Sequence, residues 1–211
     1  MTPLPQRGLY AIADTSWVGP DHILTAVGEA IVGGAVMVQL RDKTNAVISD
    51  QPRLLALLEL CRQHGVPFII NDNSRLAVDI GADGVHIGQS DGDIAAIRTR
   101  LGNSAIIGVS CHNSLDSARR AVSGGADYVA FGRFFASRTK PDAPAATIEQ
   151  LRSVHAELDV PIVAIGGITP DNSRQLLVAG ADLLAVIAGI FAQADTRAAA
   201  TAYQRVIQQA L

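Results

Sequence analysis

Short polar clusters recur along this chain of 211 residues, and their residue types suit the handling of an anion together with a metal. In Gln39-Leu40-Arg41-Asp42-Lys43, alternation along an extended segment puts Gln39, Arg41 and Lys43 on one face. Arg41, Lys43 and Lys140 can neutralise phosphate oxygens, and Asn71 and Ser110 can donate hydrogen bonds to them. Asp72 and Asp91 are hard oxygen ligands, and a pair of carboxylates completed by substrate phosphates is the usual way to hold Mg²⁺. Zinc is disfavoured because there is no Cys/His cluster. Gly166-Gly167-Ile168, with the amides near Ile187 and Ala188, offers a second anion site built largely from backbone. Cys111 next to His112 invites a thiol nucleophile, but neighbours on an extended segment point opposite ways, so a buried cysteine is the better reading.

Each cluster alone has a plain structural explanation. Asp91 could cap the helix near Ile94 and Ile97; His86 and His112 could simply pack; Gly166-Gly167 could be turn chemistry; Trp17 and the C-terminal helix read as packing or interface features. The position of the clusters favours function. Apolar, β-branched runs occur at 8–13, 37–40, 68–70, 84–87, 106–110, 128–131, 162–165 and 183–187, separated by stretches with helical spacing such as Leu54, Leu55, Leu58 and Cys61. The runs are apolar on both faces, as parallel strands covered by helices require. Gly81-Ala82-Asp83, Gly125-Ala126-Asp127 and Gly180-Ala181-Asp182 each close a helix just before a strand. These alternations predict one (βα)₈ TIM barrel over 1–211, an α/β fold, with an open doubly wound sheet as the lesser alternative. No G-x-G-x-x-G follows the first run, which weakens that alternative. In a barrel the C-terminal strand ends meet at one mouth, and the polar clusters directly follow the runs. The connection at 134–147 is long for a βα loop and suits a lid.

Composition narrows the function classes. Hydrophobic residues make up 48% and charged residues 18%, enough apolar surface for a sizeable core. The net charge is −3 with no block of Lys or Arg, so nucleic acid is not an expected partner. Two cysteines are too few for a disulfide framework, no run reaches the length of a membrane span, and the first residues carry no targeting signal. The expected location is the cytoplasm, with self-association into a homo-oligomer left open.

From Gly8-Leu9-Tyr10-Ala11-Ile12 to Ala185-Val186-Ile187 the chain resembles the thiamine phosphate synthase family. The resemblance rests on Gln39 to Lys43, Ile70-Asn71-Asp72, Gly84-Val85-His86-Ile87-Gly88-Gln89, Ile107-Gly108-Val109-Ser110, Thr139-Lys140 and Ala164-Ile165-Gly166-Gly167-Ile168, in that order. It implies an Mg²⁺-dependent transferase of thiamine biosynthesis. The small-molecule partners would be a pyrimidine diphosphate (4-amino-2-methyl-5-hydroxymethylpyrimidine diphosphate) and hydroxyethylthiazole phosphate, giving thiamine phosphate and pyrophosphate. Carried over residue by residue, Gln39, Leu40, Arg41, Asp42, Lys43, Asn71, Ser110 and Lys140 would meet the pyrimidine diphosphate, and His86 would be among the substrate-binding residues. Arg41, Lys43, Ser110 and Lys140 would assist catalysis, and Asp72 and Asp91 would hold Mg²⁺. Ser137, Arg138, Thr139, Gly167, Ile187 and Ala188 would surround the thiazole phosphate. The family is thought to react dissociatively, pyrophosphate leaving before the thiazole nitrogen attacks. Many members carry Pro-Thr where this chain has Ala136-Ser137, and serine where it has Ala188, so any contact at 188 would be through backbone. A thiazole tautomerase, a sugar-phosphate isomerase and a non-catalytic phosphate sensor on the same barrel are the rival readings. None of them needs the diphosphate and metal set.

Overall fold

Strand positions alternate between two destinations, and that alternation builds two nested cores. The computed structural model describes residues 1–89, 91–137, 139 and 143–210. Eight strands close on themselves in sequence order: β1 (Gly8–Asp14), β2 (Ala35–Arg41), β3 (Phe68–Asn71), β4 (Gly84–Ile87), β5 (Ile106–His112), β6 (Tyr128–Phe131), β7 (Ile162–Ile165) and β8 (Leu183–Val186). Every pairing is parallel, including β1 with β8. Helices supply the crossovers that parallel neighbours need: α1 (Ile23–Val32), α2 (Gln51–Gln63), α3 (Ser74–Ile80), α4 (Ile94–Leu101), α5 (Leu115–Ser123), α6 (Ile148–His155) and α7 (Pro170–Val178). The short α8 (Ala188–Phe191) and the final α9 (Thr196–Gln209) follow β8.

Tyr10, Met37, Ile69, Ile106, Tyr128 and Leu183 point inward and fill the barrel. Their neighbours, such as Ala11, Val38, Ile70, Ile107 and Leu184, point outward against the helices. Each such aliphatic or aromatic side chain contributes roughly 1.5–3 kcal/mol by leaving water. β1, β2 and β5 run further than their apolar sequence stretches, into Asp14, Arg41 and Cys111-His112. β8 stops one residue short because Ile187 turns to cap α8.

The Gly-Ala-Asp repeats do more than end helices. Gly81 closes α3 in the left-handed region (φ 69), which a side chain would resist. The aspartates then reach sideways to an amide at the start of the preceding strand. Asp83 accepts from Phe68 N at 2.9 Å, Asp127 from Ile107 N at 2.7 Å, and Asp182 from Ile162 N at 2.8 Å. These carboxylates therefore knit the N-terminal rim, leaving the opposite rim for chemistry. Among the described residues no helix is long and apolar enough to cross a membrane.

Candidate active site

The C-terminal strand ends open into a cavity of about 830 Å³. Among the residues expected from sequence, Gln39, Arg41, Lys43, Asn71, Asp72, His86, Asp91, Ser110, Ser137, Thr139, Gly167, Ile187 and Ala188 line it. Arg138 and Lys140 lie outside the described residues. Two expected contacts do not face it. Leu40 is buried in the outer core, because period-two alternation sends it opposite to Gln39 and Arg41. Asp42 spends its carboxylate on the following loop, accepting from Val47 N at 2.8 Å, Ile48 N at 2.9 Å and the Thr44 hydroxyl, and on the Thr15 hydroxyl just after β1. Burial alone would raise the Asp42 carboxyl, but these donors, led by the Ile48 amide, more than offset it and hold it below the usual carboxylate range.

One wall carries the charges. Arg41 is ion-paired to Asp14, a fully buried carboxylate that also accepts from the amide and hydroxyl of Ser16. Lys43 Nζ lies 2.8 Å from Asp72 Oδ2. Burial pushes the Asp72 carboxyl up. Lys43, as hydrogen-bond donor and as charge, outweighs this and brings it below its ordinary value. Asp72 sits at φ 62 and donates its amide to His86 O at 2.8 Å, which turns its side chain over the strand ends. Asp91 does not cap α4; Asp93 does, and Asp91 instead accepts from Gly88 N at 2.6 Å. Two adjacent carboxyls repel when both are charged, and a divalent cation between them relieves the repulsion. The donor set therefore fits Mg²⁺. Among the described residues no group of three or more His, Cys, Asp or Glu could hold a metal, so substrate oxygens and water would complete the shell.

The floor is a hydrogen-bonded chain. Gln39 Nε2 donates to the Tyr10 hydroxyl at 2.5 Å, and the Tyr10 and Tyr128 hydroxyls are 3.0 Å apart. Tyr128 lies 2.9 Å from His86 Nδ1, and His86 Nε2 lies 2.9 Å from Ser110 Oγ. Cys111 faces the helices, and burial pushes its thiol up to about 12, so it offers no nucleophile to the cavity. His112, its neighbour, does line the cavity.

The opposite wall is backbone. Gly166 (φ 100) and Gly167 (φ 65) follow β7, and a Cβ on Gly167 would come 2.3 Å from Ala136 O, so glycine lets the loop carrying Ser137 lie against it. From α9, the buried Tyr203 hydroxyl donates to Ile168 O at 2.8 Å. A Cβ on Gly189 would meet that same hydroxyl at 2.2 Å. Ala188 presents only a methyl group and its backbone. Residue type and spacing give no role to Asp14, Gln89, Tyr203 or the tyrosine pair, and they read Trp17, which lines the cavity, as a packing or interface residue. Asp14 was within reach of the strand-end rule, because it closes β1 as Arg41 closes β2.

The family model described as thiamine monophosphate synthase matches residues 9–190. The chain belongs to that family. Among its relatives, the thiamine-phosphate synthase of Alcanivorax borkumensis is 50% identical over 192 residues, covering 91% of this chain and 88% of the relative. That of Nitrosococcus oceani is 49% identical over 199 residues, covering 94% and 92%. The solved thiamine phosphate pyrophosphorylase from Pyrococcus furiosus superposes with a TM-score of 0.88 at 32% identity, covering 98% of each chain. Orotidine 5'-phosphate decarboxylase from Pyrococcus horikoshii reaches a TM-score of 0.69 at 14% identity, a likeness of fold alone. Members of the thiamine monophosphate synthase family thus share with this chain both the barrel and much of its sequence.

Proposed function

We propose that this chain joins the pyrimidine diphosphate to hydroxyethylthiazole phosphate, releasing thiamine phosphate and pyrophosphate. The observation that carries the reading is one cavity that joins two unlike walls, the charged side chains of Arg41, Lys43, Asp72 and Asp91 on one side and the largely backbone surface of Gly167, Ile187 and Ala188 on the other. A tautomerase acting on the thiazole alone would have no use for the first wall. Arg41 and Lys43 would bind the diphosphate and take up charge on the leaving pyrophosphate, and Ser110 and Asn71 would orient it. Asp72 and Asp91 would hold Mg²⁺, which supplies further charge neutralisation when bound. The carbon–oxygen bond to the diphosphate breaks, its electron pair leaving with pyrophosphate, and the thiazole nitrogen's lone pair forms the new carbon–nitrogen bond. Such a path needs alignment and exclusion of water rather than a protein nucleophile, which agrees with the remote Cys111.

Incubation with both substrates and Mg²⁺, read by mass, should yield thiamine phosphate and one pyrophosphate. Thiazole rearrangement without condensation would overturn the reading in favour of the tautomerase. Asp72→Asn and Asp91→Asn should each raise the Mg²⁺ needed for half-maximal rate by about tenfold or more while the barrel stays folded, since an amide is a poorer ligand for a hard cation. Normal turnover at limiting Mg²⁺ would remove that residue from the metal site.

A further inference from the structure

The floor of the cavity contains more hydrogen-bonding groups than a hydrophobic barrel centre needs. Tyr10 and Tyr128 are fully buried and cross edge to face, with ring centroids 6.0 Å apart. The barrel makes room for them deliberately: a Cβ on Gly108 would lie 1.9 Å from Tyr128 Cζ. We propose that Tyr10 and Tyr128, aligned by Gln39, fix the tautomer of His86 and so make Ser110 an obligatory hydrogen-bond donor to the pyrimidine diphosphate. That Ser110 meets this substrate rests on the function proposed above; the ordering of hydrogens beneath it does not.

Counting hydrogens gives the direction. A phenol has one hydrogen to donate. Burial, the largest influence on both, pushes the two phenols above their ordinary value, so each keeps that hydrogen. The Tyr10 oxygen receives a hydrogen from Gln39 Nε2, so its own goes to its other partner, Tyr128. Tyr128 then has His86 Nδ1 as the acceptor for its hydrogen. Nδ1 must be bare, which leaves the imidazole hydrogen on Nε2, directed at Ser110 Oγ. Ser110 therefore accepts from below. Its carbonyl is engaged separately by Gln89 Nε2 at 2.6 Å, which holds the end of β5. The serine's own hydrogen is the one left over, and Ser110 lines the cavity. A ligand atom seated on Ser110 must then be an acceptor. Tyr10 and Tyr128 are positioning residues that touch no substrate yet set the polarity of a group that does. A reversed chain, with Gln39 accepting from Tyr10, would instead leave Ser110 with lone pairs towards the ligand.

The tautomer can be read without substrate. The chain has five histidines, His22, His64, His86, His112 and His155, so long-range ¹H–¹⁵N spectra of ¹⁵N-histidine protein are tractable, with His86 assigned by His86→Gln. The expected signature for His86 is a protonated Nε2 and a bare Nδ1. In Tyr128→Phe the nitrogens should shift towards a mixture of tautomers, and kcat/KM for the pyrimidine diphosphate should fall by about tenfold, with KM for the thiazole phosphate within about twofold. Tyr10→Phe, which keeps the link from Tyr128 to His86, should shift the tautomer less. A protonated Nδ1 in the unmodified protein would overturn the proposal even if Tyr128→Phe fails to fold. An unchanged tautomer in folded Tyr128→Phe would do the same. Failure to form thiamine phosphate, with the Nε2–H signature present, would instead count against the function and leave the hydrogen order standing.

Discussion

In the proposed function Arg41 would serve the diphosphate only with its fork facing the ligand, and the ion pair to Asp14 would set that direction. The pair is unequal in exposure, with the Asp14 side chain at 0% and Arg41 at 16%, so the carboxylate anchors and the guanidinium reaches. Asp14→Asn leaves Arg41 charged but weakly held. We expect kcat/KM for the pyrimidine diphosphate to fall by about tenfold or more, with thiazole phosphate binding nearly unchanged, because a charged hydrogen bond contributes roughly 1.5–3 kcal/mol. Equal losses for both substrates in steady-state kinetics would show that Asp14 supports the whole rim instead. Asp42 gives a different test. Its carboxyl is held low in the folded state, so its contribution to stability is present above the unfolded value of about 3.9 and disappears as pH falls through the lower folded value. Asp42→Asn should therefore be less stable than the parent near neutral pH, the gap closing below about pH 4, as chemical denaturation across a pH series would reveal. At this scale the sequence was only partly legible. The polar residues at strand ends stand out by type, but a motif matched as a block does not separate the members that face the mouth from those that do not. Matched as a block, the motif carries Leu40 and Asp42 along with their neighbours, although alternation alone separates Leu40 from Gln39 and Arg41. Tyr10 and Tyr128 were hidden for the opposite reason: an aromatic in an apolar run reads as filling until its hydroxyl is seen to have partners.

Elements supply what single residues cannot. The backbone wall of the cavity is shaped by glycine turns after β7 and is braced from outside by α9, through Tyr203 and the Ile168 carbonyl. Tyr203→Phe removes one buried hydrogen bond, which should lower stability by about 1 kcal/mol and raise KM for the thiazole phosphate several-fold, with the pyrimidine diphosphate less affected. A fall in stability with both KM values intact would restrict Tyr203 to a packing role. The long β6–α6 connection is tied down at both ends, by Phe134 N to Ile165 O at 3.2 Å and by Ala146 N to Arg133 O at 2.9 Å. Between these ties, Ala136, Ser137, Thr139 and Ala143 line the cavity. If this connection shields the reacting centre from water, Lys140→Ala should raise the share of hydrolysed pyrimidine alcohol relative to thiamine phosphate. Slower turnover at an unchanged product ratio would confine Lys140 to charge. The existence of this loop was readable from its length. Its anchoring was not, because it depends on one backbone partner in β7 and on a bond that the connection makes to itself.

The whole barrel was the most legible level, since eight apolar runs alternating with helical spacing leave few ways to bury every run on both faces. What periodicity could not report was the sideways hydrogen bonding of Asp83, Asp127 and Asp182, which joins β4 to β3, β6 to β5 and β8 to β7. Asp83→Ala would strip acceptors from Phe68 N and Thr2 N, and we expect a loss of roughly 2–3 kcal/mol by denaturant titration with substrate affinities preserved, the rim being remote from the cavity. Weakened substrate binding would mean that strain at this rim reaches the other. The same two-layered burial governs Cys61 and Cys111, whose thiols lie in the outer core with burial pushing both up to about 12. Alkylating reagents attack thiolates they can reach, so neither sulfur can react while the helices stay seated on the strands. With two cysteines in the chain, the pace at which iodoacetamide consumes thiols in native buffer becomes a stopwatch for barrel opening, started by no denaturant and carried by every molecule.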